Sequence, residues 1–217
     1  MKPKLDTILF DMDNNLVDMN MNYMYKVLKG TFKAVEKEFD YNLADEFWFN
    51  SNRSTFASRN LGVSDKRFFK EFGKRDKPQA RCKNTKPFYD IDFIDDLRAE
   101  GYKTGIVTSA PEYIGEPVVR KIGENRFDVV VYANAMHGIK HKPDPQGLEI
   151  ALEKLDSKPK NSAYVGDTPG DMLAAKAAKV YPIFTDRKTH FLKHDVDVPL
   201  KVSGFYPIGH FLGMKGY

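Results

Sequence analysis

The apolar residues of this chain follow two kinds of spacing, and the change from one to the other divides it. Thr7-Ile8-Leu9-Phe10 is a short apolar run that leads into two carboxylates at alternate positions, Asp11 and Asp13. That pattern predicts a buried strand over residues 5–10 that delivers both acids at its carboxyl end. Read locally, the same aspartates would also serve as caps of a helix beginning near Leu16. From residue 20 the spacing turns helical. Tyr23, Val27, Leu28, Thr31, Phe32, Val35 and Phe39 share one face, and Lys26, Lys29, Lys33 and Lys37 make a solvated stripe. This predicts a long amphipathic helix, capped by Asp18, Asn20 or Asn22 and ending near Asp40. Two more helices are predicted over 46–56, with Phe47, Trp48 and Phe49, and over 65–72, with Phe68, Phe69 and Phe72. No period-two pattern occurs between Met19 and Lys86, so residues 19–86 read as a small all-helical unit placed after the first strand.

Beyond residue 86 short apolar strands alternate with helices. A helix around 91–97 is ended by Gly101, followed by a strand over 102–107 and a helix over 112–122 despite Gly115 and Pro117. Residues 127–132 are apolar enough for a strand buried on both faces. Then come a helix over 145–155, a strand over 162–165, an alanine-rich helix over 171–178 and a strand over 180–184. The predicted fold is α/β, a Rossmann-like open parallel sheet with crossover helices. Its core domain comprises residues 1–18 and 87–217, with the helical unit at 19–86. A turn and a short helix are expected over 186–195. The tail mixes Phe205, Tyr206, Ile208, Phe211 and Leu212 with several Gly and Pro. It could pack on the domain, pack in a partner or complete the sheet edge.

Composition changes this picture little. The 217 residues fit one large domain, or one domain with an insertion, and the 41% hydrophobic content is that of an ordinary soluble protein. Charge is more informative because it is uneven. Residues 19–88 carry fifteen Lys and Arg against eight Asp and Glu, a balance of +7; with +4 overall, the remainder is −3. A basic helical unit can steer an anionic substrate, although a lysine-rich solvated surface has the same composition. Neither a nucleic-acid-binding module nor an aromatic-basic stripe is present, so no specific nucleic-acid partner is expected. The single cysteine, Cys82, excludes an internal disulfide framework and suits a reducing compartment; its neighbours Arg81 and Lys83 could lower its pKa, but it reads as a lone surface cysteine. The N-terminal apolar stretch is too short for a signal peptide and no stretch approaches a membrane span, so a cytoplasmic protein is expected.

In an open parallel sheet, ligands gather outside the carboxyl ends of the strands. Polar residues recur at those ends: Thr108 and Ser109 after Gly105-Ile106-Val107, and Asp167 after Tyr164-Val165-Gly166, with Asp171 four residues on. Asp167 and Asp171 could equally initiate a helix, with Pro169 in its first turn, and the two roles can coexist. His137 and His141 flank the Lys142 segment, but the chain has only five histidines and no His-x-x-His motif or cysteine cluster, so an oxygen-ligated hard cation is expected and zinc is not.

Four segments together resemble the motifs of the haloacid dehalogenase-like superfamily, in family order over about residues 5–185. They are Asp11-Met12-Asp13-Asn14-Asn15, Thr108 with Ser109 beside it, Lys142-Pro143-Asp144-Pro145, and Val165-Gly166-Asp167-Thr168-Pro169-Gly170-Asp171. The helical unit resembles the cap that one subgroup carries between its first and second motifs, the subgroup of phosphoglycolate phosphatases and β-phosphoglucomutases. The resemblance implies Asp11 as nucleophile, Asp13 as general acid and base, Thr108 and Lys142 as phosphoryl-binding residues, and magnesium held by Asp11, the backbone carbonyl of Asp13, Asp167 and Asp171. Asp171 is either a direct ligand or a partner behind the ligands, and the second is favoured. Lys140 competes with Lys142 on position alone; the Pro-x-Pro after Lys142 decides for Lys142. Asn14 and Asn15 depart from the usual Gly and Thr, and Lys179 replaces the usual Gly before the last strand.

The implied activity is magnesium-dependent hydrolysis of a small phosphomonoester through an aspartyl-phosphate. The alternatives are a sugar phosphomutase of the same family and a non-enzymatic interaction protein with a degenerate first motif. Superfamily dehalogenases do not keep the second aspartate, here Asp13, which favours phosphate chemistry. Asn52 and Arg53, in the helical unit, are expected to face the cleft and bind substrate together with Ser109.

Overall fold

The structure is a computed structural model that describes residues 3–49, 53–189 and 195–217. In chain order, strand β1 (Thr7–Phe10) is followed by β2 (Val17–Met19) and the helices α1 (Met21–Ala34), α2 (Tyr41–Phe49), α3 (Phe56–Leu61), α4 (Asp65–Gly73) and α5 (Pro78–Lys83). Strand β3 (Thr85–Pro87) leads back, and the chain continues through α6 (Phe93–Ala99), β4 (Lys103–Thr108), α7 (Glu112–Ile122), β5 (Val129–Tyr132) and α8 (Gln146–Lys154). It closes with β6 (Ser162–Gly166), α9 (Pro169–Ala177), β7 (Tyr181–Thr185), β8 (Leu200–Val202) and α10 (Tyr206–Leu212).

Six of these strands form one parallel sheet in the order β5-β4-β1-β6-β7-β8, with β1 paired to both β4 and β6. The founding strand therefore lies inside the sheet, as its unbroken apolar run requires. Side chains alternate across it. Ile8 and Phe10 join Ile106, Val165 and Ile183 in the layer formed with α6, α7 and α10; Leu9 joins Val107 and Tyr164 in the layer under α8 and α9. The order reverses beside β1, so its carboxyl end, carrying Asp11, opens onto the crevice where such sheets bind ligands.

The helical insert has its own core. Phe32, Phe47, Phe56 and Phe68 are fully or nearly fully buried, and their ring centroids lie 5.2–6.5 Å apart in edge-on and tilted pairs. Each buried ring contributes on the order of 1.5–3 kcal/mol to holding this cluster together.

Some predicted elements differ in detail. α1 stops at Ala34, because Glu36 adopts φ 60 and Lys37 donates its backbone N–H back to Phe32. Phe39 still reaches the helix face, its ring 5.7 Å from that of Phe32, by a turn and not by continued periodicity. The predicted helix over 46–56 begins earlier and is broken: α2 ends at Phe49, and a 3-10 turn at Arg53–Thr55 precedes α3. The residues that join the insert to the sheet, β2 and β3, pair antiparallel; three residues each are too few to show a period of two. The expected double burial of β5 fails because it is an edge strand, with Val130 and Tyr132 partly exposed. Of the turn and short helix expected over 186–195, residues 190–194 lie outside the described residues.

The tail completes the sheet. β8 pairs parallel with β7, and Phe205 and Ile208 are buried in the β1 layer. Arg187 binds both oxygens of buried Asp90 at 2.8 and 2.7 Å and donates to the Asn15 carbonyl at 2.9 Å, while Asp90 accepts the Phe205 N–H at 2.6 Å. This group ties the return from the insert to the tail and to the loop after β1.

Lys179 sits between α9 and β7 at φ 59, a left-handed backbone that costs a residue with a Cβ about 1–2 kcal/mol. Lys179→Gly is expected to stabilise the protein by about 0.5–1 kcal/mol, after subtracting the extra freedom glycine brings to the unfolded chain. Thermal unfolding should show a midpoint about 2 °C higher. A lower midpoint would mean that the lysine side chain makes up for its backbone.

Candidate active site

At the end of β1 the chain turns sharply. The Asp11 N–H donates to the Val165 carbonyl at 2.8 Å, Asn14 takes φ 58, and the Asn15 amide donates to the carbonyls of Asp11 at 3.0 Å and Val165 at 2.9 Å. Asparagine tolerates the left-handed backbone at position 14, and at position 15 it stitches the loop to β6. Both departures from the family pattern thus have a local structural role.

Lys142, on the loop before α8, reaches beneath this turn. Its Nζ lies 2.5 Å from Asp11 Oδ1, 2.5 Å from Asp171 Oδ1 and 2.9 Å from the Tyr164 hydroxyl, which donates to the Val107 carbonyl at 2.8 Å. Lys140 instead pairs with Asp144 at 3.2 Å on the exposed side of the loop. Asp171 is fully buried. Its Oδ2 accepts from the Thr168 N–H at 2.9 Å and hydroxyl at 2.6 Å, closing a capping box at the start of α9. Gly166 makes room for it, since a Cβ there would stand 2.5 Å from that of Asp171.

Asp167 is different. Both of its carboxylate oxygens are buried and neither has a hydrogen-bond partner. Oxygens of Asp11, Asp167 and Asp171 lie within 4.8 Å of one another. Buried carboxylates this close repel one another and are costly unless a cation sits among them. All the donors are hard oxygens, so the cluster fits a hard divalent cation.

The remaining predicted residues are placed unequally. Thr108, at the end of β4, is buried, and its hydroxyl accepts the Ala110 N–H at 3.2 Å. The Ser109 carbonyl accepts from the Asn134 amide at 3.0 Å, which fixes the backbone there. Asn52 lies outside the described residues. Arg53 is half-buried; it donates to the Phe47 and Trp48 carbonyls at 2.9 and 2.8 Å and lies over both rings. Burial lowers its pKa, and the charges of Asp13 and Asp11 act against that lowering.

The sequence model of the haloacid dehalogenase-like hydrolases matches residues 8–184. The chain belongs to this family. Putative pyrophosphatase PpaX of Caldanaerobacter subterraneus subsp. tengcongensis is 29% identical over 189 residues, covering 82% of this chain and 80% of that protein. Pyrophosphatase PpaX of Bacillus thuringiensis is 26% identical, covering 81% and 80%. Among solved structures, a putative phosphoglycolate phosphatase from Lactobacillus plantarum superposes with a TM-score of 0.81 at 22% identity, covering 96% of this chain and 99% of that one. CbbY from Rhodobacter sphaeroides, solved in complex with phosphate, gives 0.76 at 18% identity, covering 97% and 100%. Both share the fold of this chain over nearly its whole length.

The electrostatics of this hydrolase's cluster follow from its burial. Burial pushes the Asp11 carboxyl up to about 7, with Lys142 pulling it down and Asp171 and Asp13 adding to the rise. Asp167 is raised well above the carboxylate range by burial, then by Asp11 and Asp171. Burial works against the Lys142 charge, but Asp11 and Asp171 outweigh it and hold its pKa well above that of a free lysine. Burial and the charges of Arg53 and Lys142 keep the His141 pKa low. The site thus concentrates carboxylates around one fixed ammonium, an arrangement suited to phosphoryl transfer assisted by a metal.

Two participants had no sequence signal that set them apart. Tyr164 lies inside an apolar strand run and reads as core. Arg81 lies in an insert rich in lysine and arginine, yet it is buried and its Nη2 lies 2.5 Å from Asp13 Oδ2. Only the three-dimensional path of α5 past the loop after β1 reveals it.

Proposed function

We propose that this family member hydrolyses a small phosphorylated metabolite through an aspartyl-phosphate on Asp11, with magnesium. The observation that carries the reading is the buried carboxylate cluster of Asp11, Asp167 and Asp171 with Lys142 Nζ 2.5 Å from Asp11. Asp11, Asp167 and the backbone carbonyl of Asp13 would hold the cation, while Asp171, occupied by Lys142 and the capping box, acts from behind. When bound, magnesium neutralises phosphate charge and so lets an anionic carboxylate approach phosphorus.

Asp11 Oδ attacks phosphorus, and the ester oxygen leaves in line with it. Lys142 balances the negative charge of the phosphoryl group from the opposite side. The Thr108 hydroxyl, whose oxygen is held by the Ala110 N–H, has its proton left to donate to a phosphoryl oxygen. Asp13 gives a proton to the leaving oxygen and takes one from the water that cleaves the aspartyl-phosphate. Release of inorganic phosphate from a panel of small phosphomonoesters at fixed magnesium tests the reading. A mutase would isomerise one sugar phosphate and release little.

Inorganic pyrophosphate belongs in that panel. The PpaX relatives are named pyrophosphatases, and Arg53 presents positive charge from the cap toward Asp13 and Asp11, where a second anionic group would lie. Arg53→Ala is expected to lower kcat/KM about tenfold for an anionic-leaving-group substrate, roughly 1.4 kcal/mol, and much less for a small aryl phosphate. Equal effects on both, at an unchanged melting temperature, would place Arg53 in the cap's own architecture alone.

A further inference from the structure

Arg81 is almost completely buried, and its guanidinium forks between two carboxylates. Nη2 donates to Asp13 Oδ2 at 2.5 Å and Nη1 to Asp76 Oδ2 at 2.8 Å, with the fork 5.2 Å from the centre of the Trp48 ring. The two acids belong to different parts of the molecule. Asp13 is on the loop after β1, whereas Asp76 follows α4 and accepts the Tyr23 hydroxyl of α1 at 2.8 Å. Tyr23 and Trp48 are part of the aromatic core of the cap.

Arg81 itself sits where the insert meets the sheet domain. It lies on α5, where Cys82 Sγ donates to the Pro117 carbonyl at 3.4 Å and Lys121 of α7 donates to the Cys82 carbonyl at 2.8 Å. The fork therefore spans both: one tooth reaches Asp13 on the sheet domain and the other holds Asp76 within the insert. With Oδ2 committed to Arg81, the second oxygen of Asp13, Oδ1, is buried and has no hydrogen-bond partner.

We propose that Arg81 is a positioning residue for Asp13: it fixes the carboxylate through Oδ2, leaves Oδ1 as the oxygen that exchanges the proton, and through Asp76 and Tyr23 makes this hold depend on the cap. The inference rests on the acid-base role given to Asp13 above. A planar fork is required. Lysine at this position keeps the charge but reaches one carboxylate at a time, so the orientation of Asp13 is lost even though its partner is not.

Proton transfer to the leaving oxygen matters most when that oxygen is a poor leaving group, and a well-placed acid is worth about 10²–10⁴-fold there. The test compares kcat/KM of wild type and Arg81→Lys across a series running from nitrophenyl phosphate to alkyl phosphates, with thermal unfolding as a check on the fold. Arg81→Lys should lose about tenfold or more with alkyl phosphates and less than about threefold with nitrophenyl phosphate, so that rates depend more steeply on the leaving group. Equal losses across the series, or none, overturn the proposal while leaving the phosphatase reading intact. A wild type that releases no phosphate from any member of the series overturns that reading and this one with it. If Arg81→Lys does not fold, Asp76→Asn takes its place. It preserves shape and the Tyr23 hydrogen bond, but its NH2 then faces Arg81 Nη1 and cannot accept, so one tooth of the fork is lost and the same bias of at least about threefold is expected. Uniform loss, or none, in that variant overturns the proposal equally.

Discussion

Asp11→Asn is expected to abolish hydrolysis, by at least about a thousandfold, in a protein that still folds. The amide matches the carboxylate in shape but cannot attack phosphorus. Its effect on stability is expected to be small because two changes oppose each other. Lys142 loses the partner 2.5 Å away, yet it keeps Asp171 and the Tyr164 hydroxyl, and one member of a repelling buried cluster becomes neutral. The net change should lie within about 2 kcal/mol, visible as a similar unfolding midpoint. Folded Asp11→Asn protein that retained more than about a tenth of wild-type kcat/KM, a loss below about 1.4 kcal/mol, would rule Asp11 out as the nucleophile.

Removing magnesium should stop turnover without unfolding the protein, and the effect of the ion on stability should depend on pH. Without metal, burial holds the Asp11 pKa at about 7, above its unfolded value of 3.8, and raises that of Asp167 in the same direction. The folded state then binds more protons than the unfolded state across this interval. The stability that these groups contribute is fully present below about pH 4 and is lost as pH rises through 7. A divalent cation replaces those protons. At pH 8 and about a hundred times its dissociation constant it should add roughly 2.7 kcal/mol, or about 5–10 °C in midpoint. At pH 5 protons compete for the same oxygens and the shift should largely vanish. Thermal unfolding in magnesium and in chelator at both pH values measures this. An equal shift at both, or full activity in chelator, would remove Asp167 from the metal site.

Much of the fold could be read because its strongest signals are periodic. The alternation of Ile8, Leu9 and Phe10 across a doubly covered sheet and the helical stripe from Tyr23 to Phe32 are consequences of backbone geometry alone. The four motif segments were legible for another reason: a sheet of this kind gathers loop residues at one edge, so Asp11, Thr108, Lys142 and Asp167 meet there despite their distance in sequence. What could not be read depends on contacts without a local pattern. β8 consists of three residues whose only signal is their partner β7. The burial of Phe205 depends on Asp90 accepting its N–H, and Asp90 is held in turn by Arg187, a residue 97 positions away. Arg81 resembles any other basic residue of the insert until Asp13 and Asp76 are seen on either side of it.

The antiparallel pair of β2 and β3 has a bearing on the history of such chains. Val17 stands opposite Pro87 and Met19 opposite Thr85, so the path out of the sheet domain and the path back into it run side by side. The insert leaves and re-enters the sheet domain at one place, although α5 also packs back onto α7 and Arg81 onto Asp13. The helical unit can thus be lengthened, recharged or exchanged as a cassette while Asp11, Lys142 and Asp167 stay where β1, the loop before α8 and β6 put them. Selection on the leaving group can act on one part of the chain and selection on the chemistry on another, with Arg81 as a joint that both must respect.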